Sequence, residues 1–152
     1  LLLFGGGLAL SKMFTESGLS IWIGQVAQGL SVLPTLLIVV AITALIIFLT
    51  ELTSNTATAA AFLPIIGGVA VGIGLTDGAP QNVMLLTIPV ALAATCAFML
   101  PVATPPNAIA FGSGYVKIGE MVKGGLWLNL IGIVLITITT YALAVPVFGL
   151  VL

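Results

Sequence analysis

Thr50, Thr53, Ser54, Asn55, Thr56 and Thr58 crowd neutral oxygens into one short stretch between two uncharged apolar runs. A small hard cation needs such hydroxyl, amide and freed backbone oxygens to replace its hydration shell. An anion needs the complement, backbone N–H groups at the positive end of a helix. A helix that starts just after Asn55 presents both chemistries side by side. An ordinary N-cap in an exposed turn uses the same residue types, so the stretch by itself leaves both readings open.

A second constellation shifts the balance. Ala103-Thr104-Pro105-Pro106-Asn107 interrupts another apolar run. Adjacent prolines remove two backbone donors and disfavour helix at Thr104 and Pro105. Such a break frees backbone carbonyls and helix-end amides. Two polar breaks in one small apolar chain are the pattern of transporters, whose substrates and ions sit between broken helices near the bilayer midplane. Glu51, beside the first cluster, reads either as an intramembrane proton relay or as a salt-bridged or water-facing carboxylate at a turn. Gly67, Gly68 and Gly72 form a small-residue face suited to close helix packing. Cys96, the single cysteine, reads as a packing residue in an apolar run and permits no disulfide within the chain.

Composition sets the solvent for these groups. The chain has 152 residues, 61% hydrophobic and 5% charged, against about a quarter charged in soluble domains. Lys12, Lys117 and Lys123 with Glu16, Glu51, Asp77 and Glu120 carry all of its formal charge, and the net charge is −1. Long uncharged stretches are what hydrocarbon demands. No basic stripe exists to replace phosphate counterions, which argues against a nucleic-acid partner. Without histidine, a histidine-based triad, a haem ligand or a His-ligated zinc is excluded. No cofactor is expected.

The elements that must position the site follow from the apolar runs. Residues 1–10 read as the end of a transmembrane helix that begins in mid-run, with no signal-peptide features, so the chain is expected to be part of something longer. Residues 17–30 are milder, with Trp22, Val26 and Leu30 on one face, and suit an interfacial arm or a simple connector. Ser31-Val32-Leu33-Pro34 is a helix start with Ser31 available to cap. Residues 34–74 are two apolar helices around the first polar cluster. They either cross the bilayer with the turn in water or form a re-entrant hairpin, permitted only where the tip is buried in protein or lines a cavity. Thr76 to Pro80 is a turn, and residues 80–115 are a broken helix, running first to about Val102 with Pro89 as a possible kink. Residues 126–152 are long enough to span with tilt. Lys117 and Lys123 place their shared loop in the cytoplasm by the positive-inside rule, and the C-terminus outside.

The stretches Phe48-Leu49-Thr50-Glu51-Leu52-Thr53-Ser54-Asn55-Thr56-Ala57 and Pro101-Val102-Ala103-Thr104-Pro105-Pro106-Asn107-Ala108 resemble the divalent anion:sodium symporter family. That family includes sodium-dependent dicarboxylate and citrate transporters, and the resemblance covers essentially the whole chain. It implies an all-α membrane protein. This chain would be one inverted-repeat half, the C-terminal one, with a re-entrant hairpin (34–74), a broken transmembrane helix (80–115) and a final transmembrane helix (126–152).

By the same resemblance, Asn55 and Thr56 would bind a substrate carboxylate with Pro105 beside it. Thr50, Thr53, Asn55 and Ala103 would hold Na+, and Ser54, Thr104, Pro106 and Asn107 would support the two motifs. The implied function is sodium-coupled symport of a C4-dicarboxylate such as succinate or malate, without enzyme activity, by an elevator-like movement within a homodimer. The expected partners are Na+, the dicarboxylate, membrane lipid and the N-terminal half of the same transporter, in a bacterial inner membrane crossed several times. Exchange, citrate or sulfate transport and, in another class, an accessory membrane subunit are the alternatives. With one side of the pocket, the chain alone is expected not to transport.

Overall fold

Backbone polar groups in hydrocarbon have to be satisfied within the protein, and helices do this inside a single segment. The computed structural model describes residues 5, 6, 9, 12–14 and 16–151 and contains, among them, helices and no strand. In chain order these are α1 (Leu19–Val26), a 3-10 segment (Ala27–Val32), α2 (Thr35–Thr50), α3 (Asn55–Gly72), a 3-10 turn (Pro80–Val83), α4 (Met84–Ala93), α5 (Pro105–Gly112), α6 (Ile118–Thr139), a π-turn (Thr140–Ala144) and α7 (Val145–Phe148). Most of the first ten residues, read above as a helix end, lie outside the described set.

By length and composition, two helices among the described residues can cross a membrane: α3, of 18 residues, and the continuous helix Ile118–Phe148, of 31. Helix α2 and the segment Pro80–Ala93 are apolar but shorter. At about 1.5 Å per residue, α3 reaches ~27 Å, close to the ~30 Å hydrocarbon core.

Helix α4 is the hub. It packs against α2, α3 and α6, whereas α2 and α3 touch each other only sparingly. The core joins Ile38, Val39, Ile46 and Ile47 of α2 to Ile66, Val69 and Ala70 of α3, Leu86, Val90 and Ala93 of α4, and Ile133 and Ile136 of α6. Buried hydroxyls inside these helices return to the preceding turn: Thr43 donates to the Val39 carbonyl, Thr137 to Ile133 and Thr140 to Ile136, at 2.7–2.8 Å. This satisfies a polar group without any partner outside its own helix.

The glycine face of α3 is a packing surface, as its spacing suggests. A Cβ built on Gly24 of α1 would stand 2.5 Å from the Gly68 carbonyl oxygen and 3.1 Å from the Gly72 Cα. Only glycine at these positions lets α1 and α3 cross so closely. Ile23 and Ala27 follow Gly24 into the core, while Trp22 and Val26 remain 60% and 66% exposed.

Three boundaries differ from the sequence reading. Pro34, not Ser31, is the N-cap of α2 and makes no side-chain cap bond. Helix α4 ends at Ala93 with Pro89 in its interior, so the break runs from Ala94 to Thr104 rather than opening at Ala103. Pro101 explains part of this, since its ring disfavours helix at Leu100 and cannot donate. The final helix starts at Ile118, not Leu126, because the Glu120 carboxylate accepts the Lys117 N–H at 3.0 Å and closes its first turn. The turn before Pro80 is where expected, carried by Gly74 and Gly78 at φ +76° and +77°.

Candidate functional site

Two consecutive residues at the C-terminal end of the α2 turn reach the break in different ways. Thr50, fully buried, places its hydroxyl 2.8 Å from Asn55 Oδ1 and 2.9 Å from the Ala94 carbonyl oxygen. Three oxygens from the tip between α2 and α3 and from the start of the break therefore meet at one point. Nearby, Thr53 donates to the Leu49 carbonyl at 3.0 Å and lies against the Thr58 hydroxyl at 2.5 Å.

Glu51 is the residue whose role the sequence left divided. It is 3% exposed and neither water-facing nor salt-bridged; the ion pair found among the described residues is Lys12 with Glu16, at 3.6 Å and exposed. Its Oε1 accepts from Phe98 N at 2.7 Å, Met99 N at 2.9 Å and Asn129 Nδ2 at 2.8 Å. Its Oε2 accepts from Met99 N at 3.0 Å and Leu100 N at 3.1 Å. Every partner is a donor, as an acceptor-only carboxylate requires. Three successive backbone N–H groups turned toward one anion form a nest, and here the protein's own side chain fills it.

The two helix starts differ in what they leave open. Ser54 is the N-cap of α3 in extended conformation, yet its side chain makes no cap bond. The first N–H groups of an α-helix have no partner within it, so those of Asn55, Thr56 and Ala57 stay available. At α5 the first two positions are Pro105 and Pro106, which have no N–H, and the next amide, Asn107 N, donates to Thr104 Oγ1 at 3.4 Å. The expectation that the second break frees helix-end amides is thereby corrected. Asn107 also donates its side-chain amide to the Ala97 and Leu100 carbonyls, at 3.0 Å each, which closes the break upon itself.

The residues singled out in the sequence fall into two groups. Thr50 and Asn55 are joined directly, and Thr53 is joined to Thr58 of the same helix start. Thr56 is half-buried beside them, and Ser54 is exposed. Ala103 is buried within the break, its N–H on the Leu100 carbonyl at 3.2 Å. Thr104 and Asn107 brace α5, and Pro105 and Pro106 are exposed at its start. No described hydrogen bond links Ala103 or Pro105 to Thr50, Asn55 or Thr56. A hollow of about 310 Å³ beside the tip is lined by Leu49, Thr53, Ala57, Thr58, Ala61 and Phe62. Another, of about 290 Å³ between α1 and α3, is lined mostly by glycine and apolar groups and offers a cation little.

Sequence reasoning missed Ala94, Asn129 and Gly125. Asn129 is fully buried on α6, and one turn before it a Cβ on Gly125 would lie 2.5 Å from the Phe98 carbonyl oxygen. Glu51, an acid set between two uncharged apolar runs, and Pro101 were the available signals. No group of three His, Cys, Asp or Glu suited to a transition metal occurs among the described residues.

The described residues thus form helices around an oxygen-rich tip and an uncapped helix start, and comparison with known proteins gives the family. The chain belongs to the sodium:sulfate symporter transmembrane region family, whose sequence model matches residues 1–150, as the motif resemblance implied; it is an integral membrane protein. It is 47% identical over 150 residues to proteins named sodium-dependent dicarboxylate transporter SdcS from Staphylococcus saprophyticus and from Staphylococcus aureus strain MRSA252. These are named as transporters, not enzymes. The match covers 99% of this chain and 28% of each relative, so the chain spans little more than a quarter of their length.

Proposed function

We propose that this chain forms the C-terminal part of a sodium-coupled symporter for a C4-dicarboxylate in a bacterial inner membrane, acting with an N-terminal half that supplies the other side of the pocket. The observation that carries the reading is the meeting of Thr50 Oγ1, Asn55 Oδ1 and the Ala94 carbonyl oxygen next to the uncapped start of α3. Neutral oxygens of this kind suit Na+, and the free amides suit a carboxylate. The name of the relatives, sodium-dependent dicarboxylate transporter, supports the same pair of ligands.

In this reading α2 and α3 are a re-entrant hairpin, and α4, the break and α5 are the discontinuous helix. Asn55 has a double role: its Oδ1 faces the ion site, and its Nδ2 and the amides of Asn55 and Thr56 face the substrate. Thr53 and Ala103 complete the sodium shell, and Pro105 lines the pocket. A dicarboxylate brings two negative charges, and neither Arg nor Lys occurs between residues 50 and 107. Bound sodium and helix-end dipoles then balance the substrate, and coupling follows because the ion orders the tip that the carboxylate also touches. Transport proceeds by an elevator-like displacement in a homodimer, with Lys117 and Lys123 on the cytoplasmic side.

The test is uptake of labelled succinate and of sulfate by the full-length transporter in proteoliposomes, with and without an inward sodium gradient. Succinate uptake that requires the gradient is expected. Exchange independent of sodium, or a preference for sulfate, contradicts the reading.

A further inference from the structure

We infer that Glu51 is a positioning residue that clamps the break to the hairpin tip, with Gly125 and Asn129 of α6 as its seat, and that this clamp sets the oxygen geometry at Thr50, Asn55 and Ala94. The inference rests on the sodium site proposed above and assigns it a device that lies outside the ion's own ligands.

Adjacent residues hold the break at two points. Thr50 reaches the Ala94 carbonyl at its start, and Glu51 takes the amides of Phe98, Met99 and Leu100 further on. The break between these points cannot slide along the tip without giving up one of the two contacts. Helix α6 closes the third side. Gly125 lets the backbone of Phe98 and Met99 lie directly on it, where a Cβ would stand 2.5 Å from the Phe98 oxygen and 2.6 Å from the Met99 Cα.

One turn further along the same face, Asn129 turns its Nδ2 to Glu51 at 2.8 Å. That orientation leaves Asn129 Oδ1 buried without a partner. Orphaned polar atoms are rare in native interiors, and here the orphan is the consequence of directing the amide to Glu51. The contacts of Glu51 span 47–49 positions to the break and 78 to α6, so the clamp joins elements that local helix formation does not bring together.

The experiment compares wild type, E51Q, N129A and G125A in the full-length transporter. It measures the sodium dependence of succinate uptake, and the labelling of a cysteine placed at Ala97, 2% exposed within the break, in a C96A background. E51Q keeps size and one acceptor but turns a second donor toward backbone donors. The half-saturating sodium concentration is expected to rise at least tenfold, and Ala97→Cys to become reactive toward a thiol reagent. N129A, which leaves the three backbone donors in place, should raise it about threefold, and G125A should act in the same direction.

A role in stability alone would lower maximal uptake with sodium dependence within twofold of wild type and Ala97→Cys still protected; that result overturns the clamp. If E51Q does not assemble, unchanged sodium dependence in both N129A and G125A overturns it instead. If wild type shows no sodium-driven uptake, the proposed function fails, and the labelling still decides: reactive Ala97→Cys in E51Q upholds the clamp, and protection refutes it.

Discussion

The tip between α2 and α3 and the break both interrupt apolar helices with Thr, Asn and irregular backbone, yet they handle their polar groups in opposite ways. At the tip, Ser54 leaves the start of α3 uncapped, and Asn55 engages only through its Oδ1. In the break, the amides of Phe98, Met99 and Leu100 go to Glu51, the carbonyls of Ala97 and Leu100 go to Asn107, and prolines replace the first donors of α5. Unsatisfied backbone in a membrane is costly unless something else occupies it. The difference teaches that the tip leaves polar groups open, as the proposed ligand site requires, whereas the break is a braced wall that holds Ala94 in place beside it.

Breaking the comparison at the tip has the largest expected effect. Asn55→Ala removes the oxygen proposed to face the ion and the amide beside it, and should abolish sodium-dependent succinate binding in the full-length protein, measured by calorimetry or scintillation proximity. Binding that survives would transfer the ligand role away from the tip.

Asn107→Ala attacks the brace instead. It removes two hydrogen bonds to backbone carbonyls, each worth about 1–2 kcal/mol, and should lower stability by ~2–4 kcal/mol in thermal unfolding while sodium still enhances substrate binding. Thr104→Ala, which loses one long cap bond, should cost less than about 1 kcal/mol. Cys96→Ala is the smallest, leaving binding within twofold of wild type, because its thiol bonds the Leu92 carbonyl only weakly, at 3.6 Å, and belongs to the packing rather than to the tip.

How much of this was legible in the sequence depends on the range of each interaction. The uncharged runs, the turn ahead of Pro80 and the glycine face of α3 rest on local chemistry, and all could be read. Ser54-Asn55-Thr56 could be read as a helix start, but not as an uncapped one, since a serine there ordinarily caps. The early end of α4 could not be read from Ala94-Thr95-Cys96-Ala97, where no residue is a strong helix breaker. The chain leaves the helix where a carboxylate 47 residues earlier accepts the Phe98 amide and Gly125 of α6 lets the backbone lie close against it. Asn129 lies within a run long enough to span, and only the tertiary fold makes it a partner of Glu51.

The most direct test of the contrast between an open tip and a braced break is cysteine labelling at Ser54, which is exposed and whose side chain makes no cap bond. In the full-length transporter with Cys96 replaced, Ser54→Cys should react readily with an impermeant thiol reagent and be protected when sodium and succinate are added together. Labelling that sodium and succinate leave unchanged would mean that the tip merely faces water, and would contradict the account.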